Sequence, residues 1–212
     1  MGLLVAGFDS SPVNPDEFND WYDTEHVPER RRVPGFVNCE RWIGAENPGL
    51  SIATYDLESL DVLKTGAYRA IAGENLSPWS KRVIGKAKRL CRFEAVQMPP
   101  GDGVAPAQAG GLLLFAMNIA PQAESEFNAW YDEEHIPRLA AVTGCLSARR
   151  FTIVDAVSDG MHRYLALYHL SSPDVCASKA WEEAAVTPWT GKIRPLTRDR
   201  MRIALRRYTG ND

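Results

Sequence analysis

Apolar and polar positions follow the same order twice along the chain. Leu3 to Phe8 and Leu112 to Ile119 are short apolar runs bounded by turn residues, which predicts an opening strand in each half. A stretch with helical spacing follows each of them. In the first copy Asn14 fits an N-cap, Pro15 suits the first helical position, and Asp16 and Glu17 place negative charge where the helix dipole favours it. The second start is marked only by Pro121 and the acidic Glu124 and Glu126. Two strand-like runs come next, Phe36 to Ile43 with Ser51 to Leu57, and Cys145 to Val154 with Arg163 to Leu170, each pair predicting a hairpin. Second helices are expected over Asp61 to Ala72 and Asp174 to Ala185, then a short turn led by Pro78-Trp79 and Pro188-Trp189. Closing strands follow near Leu90 to Val96 and Met201 to Tyr208. The order is βαββαβ in both halves, the ferredoxin-like pattern. A four-stranded sheet covered by helices on one face leaves an apolar face bare, and the duplicate can cover it.

The duplication is visible in the residues themselves. Glu17 to Pro28 returns as Glu126 to Pro137 at an offset of 109, with nine of twelve positions identical. Gly35 answers Gly144 at the same offset, Tyr55-Asp56-Leu57 answers Tyr168-His169-Leu170, and Arg92-Phe93 answers Arg202-Ile203. Met98 to Ala109 is rich in Pro and Gly and reads as an exposed connector. The expected division is therefore a first repeat over 1–97, a linker over 98–109 and a second repeat over 110–212.

Composition narrows the partners. The net charge of −3 and pI near 5.9 argue against a nucleic-acid footprint, which calls for a concentrated basic face. No apolar run approaches the roughly 20 residues of a bilayer span and the N-terminus has no charged leader, so no membrane association and a cytoplasmic location are expected. Cys39, Cys91, Cys145 and Cys176 form no close pair and no zinc spacing, and read as small buried groups in a reducing compartment. His162 and His169 fall outside the repeat, and no metal site or glycine-rich phosphate loop is apparent.

The repeated segment carries the candidate chemistry. On a regular helix Asn19, Asp23 and His26 fall at i, i+4 and i+7 and form a polar stripe beside Phe18, Trp21 and Tyr22. Asn128, Asp132, His135, Trp130 and Tyr131 repeat the set. Pro28 disfavours helical geometry at Val27, which places His26 in the last turn. There the helix C-terminus and Asp23 or Glu25 favour the imidazolium, and burial opposes them. With an ordinary pKa of about 6.5, histidine suits general acid or base work, and a pH–rate limb near that value is expected. A structural reading stands beside this one. Asp23 or Glu25 pairs with Arg30 or Arg41, His26 caps the helix, and the aromatics anchor it to the sheet. Trp79 and Trp189 read as lids over the sheet edge.

The pattern Tyr22-Asp23-Thr24-Glu25-His26-Val27-Pro28, repeated as Tyr131 to Pro137, resembles the EthD-like proteins of the dimeric α+β barrel superfamily. The resemblance covers both halves. It implies an α+β fold of two tandem ferredoxin-like domains packed sheet to sheet, a single-chain form of a dimer whose family members pair as homodimers. A further homodimer of the fused chain stays open. Relatives on this fold include lactone isomerases, polyketide cyclases, monooxygenases and haem-dependent enzymes, so the fold alone does not fix the reaction.

The leading expectation is cofactor-independent acid/base chemistry on a small hydrophobic carbonyl-bearing or aromatic molecule, of isomerase, cyclase or lyase type. His26 or His135 would move the proton, Tyr22 or Tyr131 would hydrogen-bond the oxyanion, and Asp23 or Asp132 would orient the imidazole. Trp21, Asn19, Trp130 and Asn128 would bind substrate in a pocket between sheet and helices, and one of the two copies could have lost its pocket. The first alternative is a non-catalytic small-molecule-binding or accessory protein. The second is a haem enzyme, although no histidine can be assigned from sequence as an axial ligand.

Overall fold

The computed structural model describes residues 1–99 and 101–210. Its strands are β1 (Gly2–Asp9), β2 (Phe36–Gly44), β3 (Leu50–Leu57) and β4 (Lys88–Gln97), then β5 (Gly111–Ile119), β6 (Cys145–Val157), β7 (Tyr164–Leu170) and β8 (Thr197–Arg207). They close into one antiparallel barrel in the order β1-β3-β2-β8-β5-β7-β6-β4. Each copy contributes a set of four with its opening strand inside, β4-β1-β3-β2 and β8-β5-β7-β6. Backbone pairing of β2 with β8 and of β4 with β6 joins the sets edge to edge. The closed barrel leaves no free sheet edge.

The alternation of side chains across a strand explains the continuous apolar runs of β1 and β5. Leu3, Val5, Leu112 and Leu114 point into the barrel with Trp42, Phe93, Phe151 and Leu205. Leu4, Phe8, Leu113 and Met117 point outward, under the helices. Both faces are buried, so neither can be polar.

The helices are α1 (Pro15–Trp21), α2 (Val27–Arg31), α3 (Gly66–Arg69) and α4 (Pro78–Lys86), then α5 (Glu124–Trp130), α6 (Ile136–Ala140), α7 (Lys179–Ala185) and α8 (Pro188–Ile193). Asn14 caps α1 by accepting from the backbone N–H groups of Asp16 and Glu17, with Pro15 opening the helix. The second helices differ from the sequence expectation. Thr65 and Ser178 adopt extended backbone and interrupt each predicted helix, leaving a short 3₁₀ segment before α3 and before α7. Pro78-Trp79 and Pro188-Trp189 open α4 and α8 instead of forming turns, because Ser77 and Thr187 cap those helices. Both tryptophans are half-buried in the layer between helices and sheet.

Pro28 does not end the first helix, contrary to the expectation from its sequence. Val27 keeps helical dihedrals, and the chain passes from α1 to α2 through a π-helical turn over Tyr22–His26, with Tyr131–His135 doing the same between α5 and α6. In a regular helix the proline ring would strike the carbonyl four residues back. Opening the turn by one residue moves that carbonyl aside, and the Val27 N–H reaches Tyr22 O instead. Gly35 and Gly144 then turn the chain into β2 and β6 at φ of 93° and 91°, a region that glycine reaches without strain.

The connector is also tied down more than its composition suggests. Ala105 and Ala109 are buried, the Ala105 N–H donates to Asp56 Oδ2 at 2.8 Å, and Gly103 O accepts from Arg149 Nη1 at 2.8 Å. Pro100 lies outside the described residues. The segment covers a buried ion pair, Arg149 Nη1 to Asp56 Oδ1 at 2.7 Å, whose partners belong to different copies. Arg207 and Glu40 form a second inter-copy pair at 2.8 Å. At the positions equivalent to Asp56 and Arg149 stand His169 and Glu40, so the charges of the two halves are complementary, not repeated.

Candidate functional site

The π turn decides where the histidines go. On a regular helix, residues five apart diverge by roughly 140°. In the wider turn they align, and His26 packs on Trp21 with ring centroids 4.3 Å apart while His135 stacks on Trp130 at 4.1 Å. Tyr22 and Tyr131 meet the same imidazoles edge-on at 5.1 and 5.2 Å.

Asn19 and Asp23 are left on another face. Arg41 Nη1 donates to Asp23 Oδ1 at 2.7 Å, Nη2 donates to Asn19 Oδ1 at 2.8 Å, and the guanidinium lies over the Tyr22 ring at 4.3 Å. Arg150 repeats this clamp on Asp132 at 2.6 Å, Asn128 at 2.7 Å and the Tyr131 ring at 4.2 Å. The predicted carboxylate–imidazole contact is thus not formed. Nδ1 of His26 and of His135 has no hydrogen-bond partner among the described residues. The arginine clamp was detectable in sequence, since Arg41 and Arg150 are also 109 apart.

A second link, present in both copies, fixes each tryptophan. Trp21 Nε1 donates to Ser80 Oγ at 2.9 Å, and both Ser80 and Ser77 donate to Glu25 Oε1, at 3.0 and 2.5 Å. In the second copy Trp130 Nε1 donates to Thr190 Oγ1 at 3.2 Å, and Thr187 Oγ1 donates to Glu134 Oε1 at 2.5 Å. The Glu therefore ties the motif to the capping hydroxyl of the following helix. Its sequence signal is the Ser/Thr before Pro-Trp, with another hydroxyl three residues on, in both copies.

The two copies diverge in the space beneath these rings. In the second, a cavity of about 490 Å³ opens between α5, α8 and the outer face of β5, β7 and β8, and Trp130, Tyr131, His135 and Tyr168 line it. In the first, the equivalent space is about 110 Å³; His26 lines it, and Trp21 and Tyr22 do not. One exchange accounts for much of the loss. Buried Arg30 fills the first space, donating to His26 O at 3.3 Å and to Ile71 O at 3.2 Å, and Arg89 lies over the Phe8 ring at 4.6 Å. The second copy has Leu139 where Arg30 stands.

Burial sets the protonation of both rings. His26 is held well below 6.5 by desolvation first and then by the charges of Arg30, Arg41 and Arg89. His135 is pushed down to about 3, again by desolvation first and then by Arg150. The helix-dipole and carboxylate effects that would raise these values are absent, because the helix continues, Asp23 and Asp132 face arginine, and Glu25 and Glu134 face hydroxyls. Burial also pushes Tyr131 up to about 12, so its phenol stays protonated. The second cavity thus offers a neutral imidazole beside a neutral phenol.

Comparison with known proteins gives a fold and little more. A family described as a domain of unknown function, DUF4286, matches residues 112–185, about a third of the chain. No curated protein sequence matches. Among solved structures, an anthrone oxidase-like protein superposes with a TM-score of 0.65 at 11% identity, covering 98% of this chain and 92% of its own. A candidate monooxygenase from Fusobacterium nucleatum superposes with a TM-score of 0.67 at 10% identity, covering 98% and 92%. A haem-degrading enzyme from Listeria monocytogenes does so with a TM-score of 0.54 at 9% identity, covering 97% and 99%. At these identities the likeness shows the shared α+β barrel architecture. No helix is long and apolar enough to cross a membrane among the described residues.

Proposed function

We propose that the chain is an enzyme acting on a small, largely apolar, oxygen-bearing molecule, and that the second copy's cavity is its working site. The observation that supports it is the asymmetry between the copies. The ring motif is kept in both, and in the second its Trp130, Tyr131 and His135 wall a cavity of about 490 Å³, whereas the larger first-copy spaces, of about 400 and 540 Å³, are lined by neither His26, Trp21 nor Tyr22. His135 presents a neutral imidazole to a C–H or O–H beside a carbonyl; desolvation makes it a weak base, so the transfer depends on stabilisation of the anion that forms. The protonated Tyr131 phenol can donate a hydrogen bond to the oxyanion that forms. The imidazolium so produced is strongly acidic and returns its proton readily. Reprotonation at another carbon gives an isomerase; with dioxygen as co-substrate the carbanion and a proton give a hydroperoxide, whose O–O bond breaks as a second C–H proton leaves, releasing water and a ketone, the kind of reaction that the names of the oxidase-like and monooxygenase neighbours suggest. Trp130 would line the bound molecule, and Asn128, Asp132 and Arg150 would hold the helix in register. In the first copy His26, Tyr22, Asp23, Asn19 and Trp21 would keep only this supporting role.

Within this reading the chain divides at 98–109 into two EthD-like, ferredoxin-like repeats, the first a scaffold for the second. Deuterium exchange into an enolisable aryl ketone in heavy water tests the chemistry with a generic substrate. Wild type and His26→Ala should exchange the α-proton, and His135→Ala should not. Retained exchange in His135→Ala would refute the assignment. Binding without exchange in wild type would favour the accessory-protein reading.

A haem reading is raised by the name of the Listeria neighbour, and His135 does border the cavity. The residues fit it poorly. An iron-ligating imidazole is usually oriented by an acceptor on its other nitrogen, and Nδ1 of His135 is buried with none among the described residues. A Soret band in protein produced with haem supplied would overturn that judgement.

A further inference from the structure

The cavity's wall is uneven in charge. Leu113, Phe115 and Met117 form its apolar floor, and among the described residues charge enters only from Arg194, Arg200 and Arg202. Among the described residues no carboxylate borders it. Arg200 and Arg202 lie on the outward face of β8, alternating with Met201 and Ile203, which face the barrel interior. Arg202 Nη2 donates to Cys176 O at 3.3 Å; Arg194 and Arg200 make no ion pair among the described residues. In a chain of net charge −3, three guanidiniums with no carboxylate among them stand at the mouth of an apolar hollow. A neutral ligand gains little from them, whereas a planar anion gains charge-assisted, forked hydrogen bonds.

The strand register sets a length. Arg202 pairs with Phe115 on β5, and Tyr168, beside His135 on the cavity wall, pairs with Leu113 from β7 on the other side. Two strand spacings, on the order of 10 Å, therefore separate the arginine row from the Tyr168 end.

Resting on the reading of this cavity as the working site, we propose that its ligand is an apolar organic anion. Its carboxylate or phenolate is held at the mouth by Arg200 and Arg202, and its apolar body lies along Leu113 and Phe115 toward His135. The reacting carbon then sits at the end of the molecule remote from the charge.

A matched pair of fluorescent probes tests this: anilinonaphthalene sulfonate, and the neutral phenylnaphthylamine that lacks the sulfonate. Wild type should bind the sulfonate more tightly, and Arg200→Gln with Arg202→Gln should weaken it about tenfold while leaving the neutral probe unchanged. Leu139→Trp, which fills the hollow from α6, should abolish binding of both, with the far-UV circular dichroism retained. Equal affinity of wild type for the two probes, or a preference that survives the double substitution, would overturn the anion proposal; if Leu139→Trp still removed both probes, the cavity reading would stand. Binding of both that is untouched by Leu139→Trp, or binding of neither by wild type, would overturn the cavity reading and this proposal together.

Discussion

Acidification should unfold this protein earlier than its carboxylates alone would, because buried His26 and His169 and half-buried His135 are held as neutral rings. His135 and His169 are pushed down to about 3 and His26 is held well below 6.5, desolvation being the largest cause in each case. An unfolded histidine titrates near 6.5, so between that value and the native one the unfolded chain binds more protons. Stability is therefore full above about pH 6.5 and falls as pH drops through the window. From pH 7 to pH 5 each ring locked in the neutral form should cost about 2 kcal/mol, and three cost about 6 kcal/mol, against a total of roughly 5–15 kcal/mol for an ordinary domain. His169 isolates one contribution. It is fully buried among the barrel side chains with Trp42 at 5.8 Å, and neither ring nitrogen has a hydrogen-bond partner among the described residues. His169→Leu should change stability little at pH 7, since it removes unsatisfied polar atoms, and should recover about 2 kcal/mol at pH 5. Urea unfolding at a series of pH values measures both. A stability flat from pH 7 to 5, or a His169→Leu curve parallel to wild type, would refute the reasoning.

Asp56→Asn should cost about 3–5 kcal/mol in denaturant unfolding, because it leaves Arg149 buried and uncompensated. Arg30→Leu should open the first copy's cavity and let it bind an apolar probe that the wild-type first copy excludes, which crystals soaked with the probe would show. The rate of α-proton exchange should lack the limb near pH 6.5 that an unperturbed histidine would give, and should decline only in more acidic solution, where His135 begins to protonate. Thr190→Val should remove the acceptor of Trp130 Nε1, costing about 1 kcal/mol in stability and loosening the ring on which His135 stacks.

β1, β5 and β7 were legible in the sequence because both their faces are buried, so each appears as an apolar run, while β4 and β8 showed only the apolar alternation of the face turned to the barrel interior. The duplication was legible because the side chains that clamp helix to sheet recur at a fixed offset. The second helices were misread, since Thr65 and Ser178 are tolerated inside a helical pattern and only their capping hydrogen bonds reveal the break. The largest error came from Pro28. A proline rule predicts the end of the helix, and a helical wheel of regular pitch then places His26 with Asn19 and Asp23; the π turn breaks both inferences at once and sends the imidazole to Trp21. The loss of the first cavity was equally hidden. Arg30 and Leu139 lie just beyond the repeated twelve residues, and which of two nonidentical side chains fills a hollow depends on the packing of distant segments such as Ile71.

Ring NMR of the four histidines during titration with a neutral aryl ketone tests most directly whether the second copy's cavity engages ligand through His135. Resonances assigned by His135→Ala and His26→Ala should show the His135 ring shifting saturably while the His26 ring stays in place. Saturable shifts at His26, or binding that moves neither ring, would contradict the assignment of the working site to the second copy.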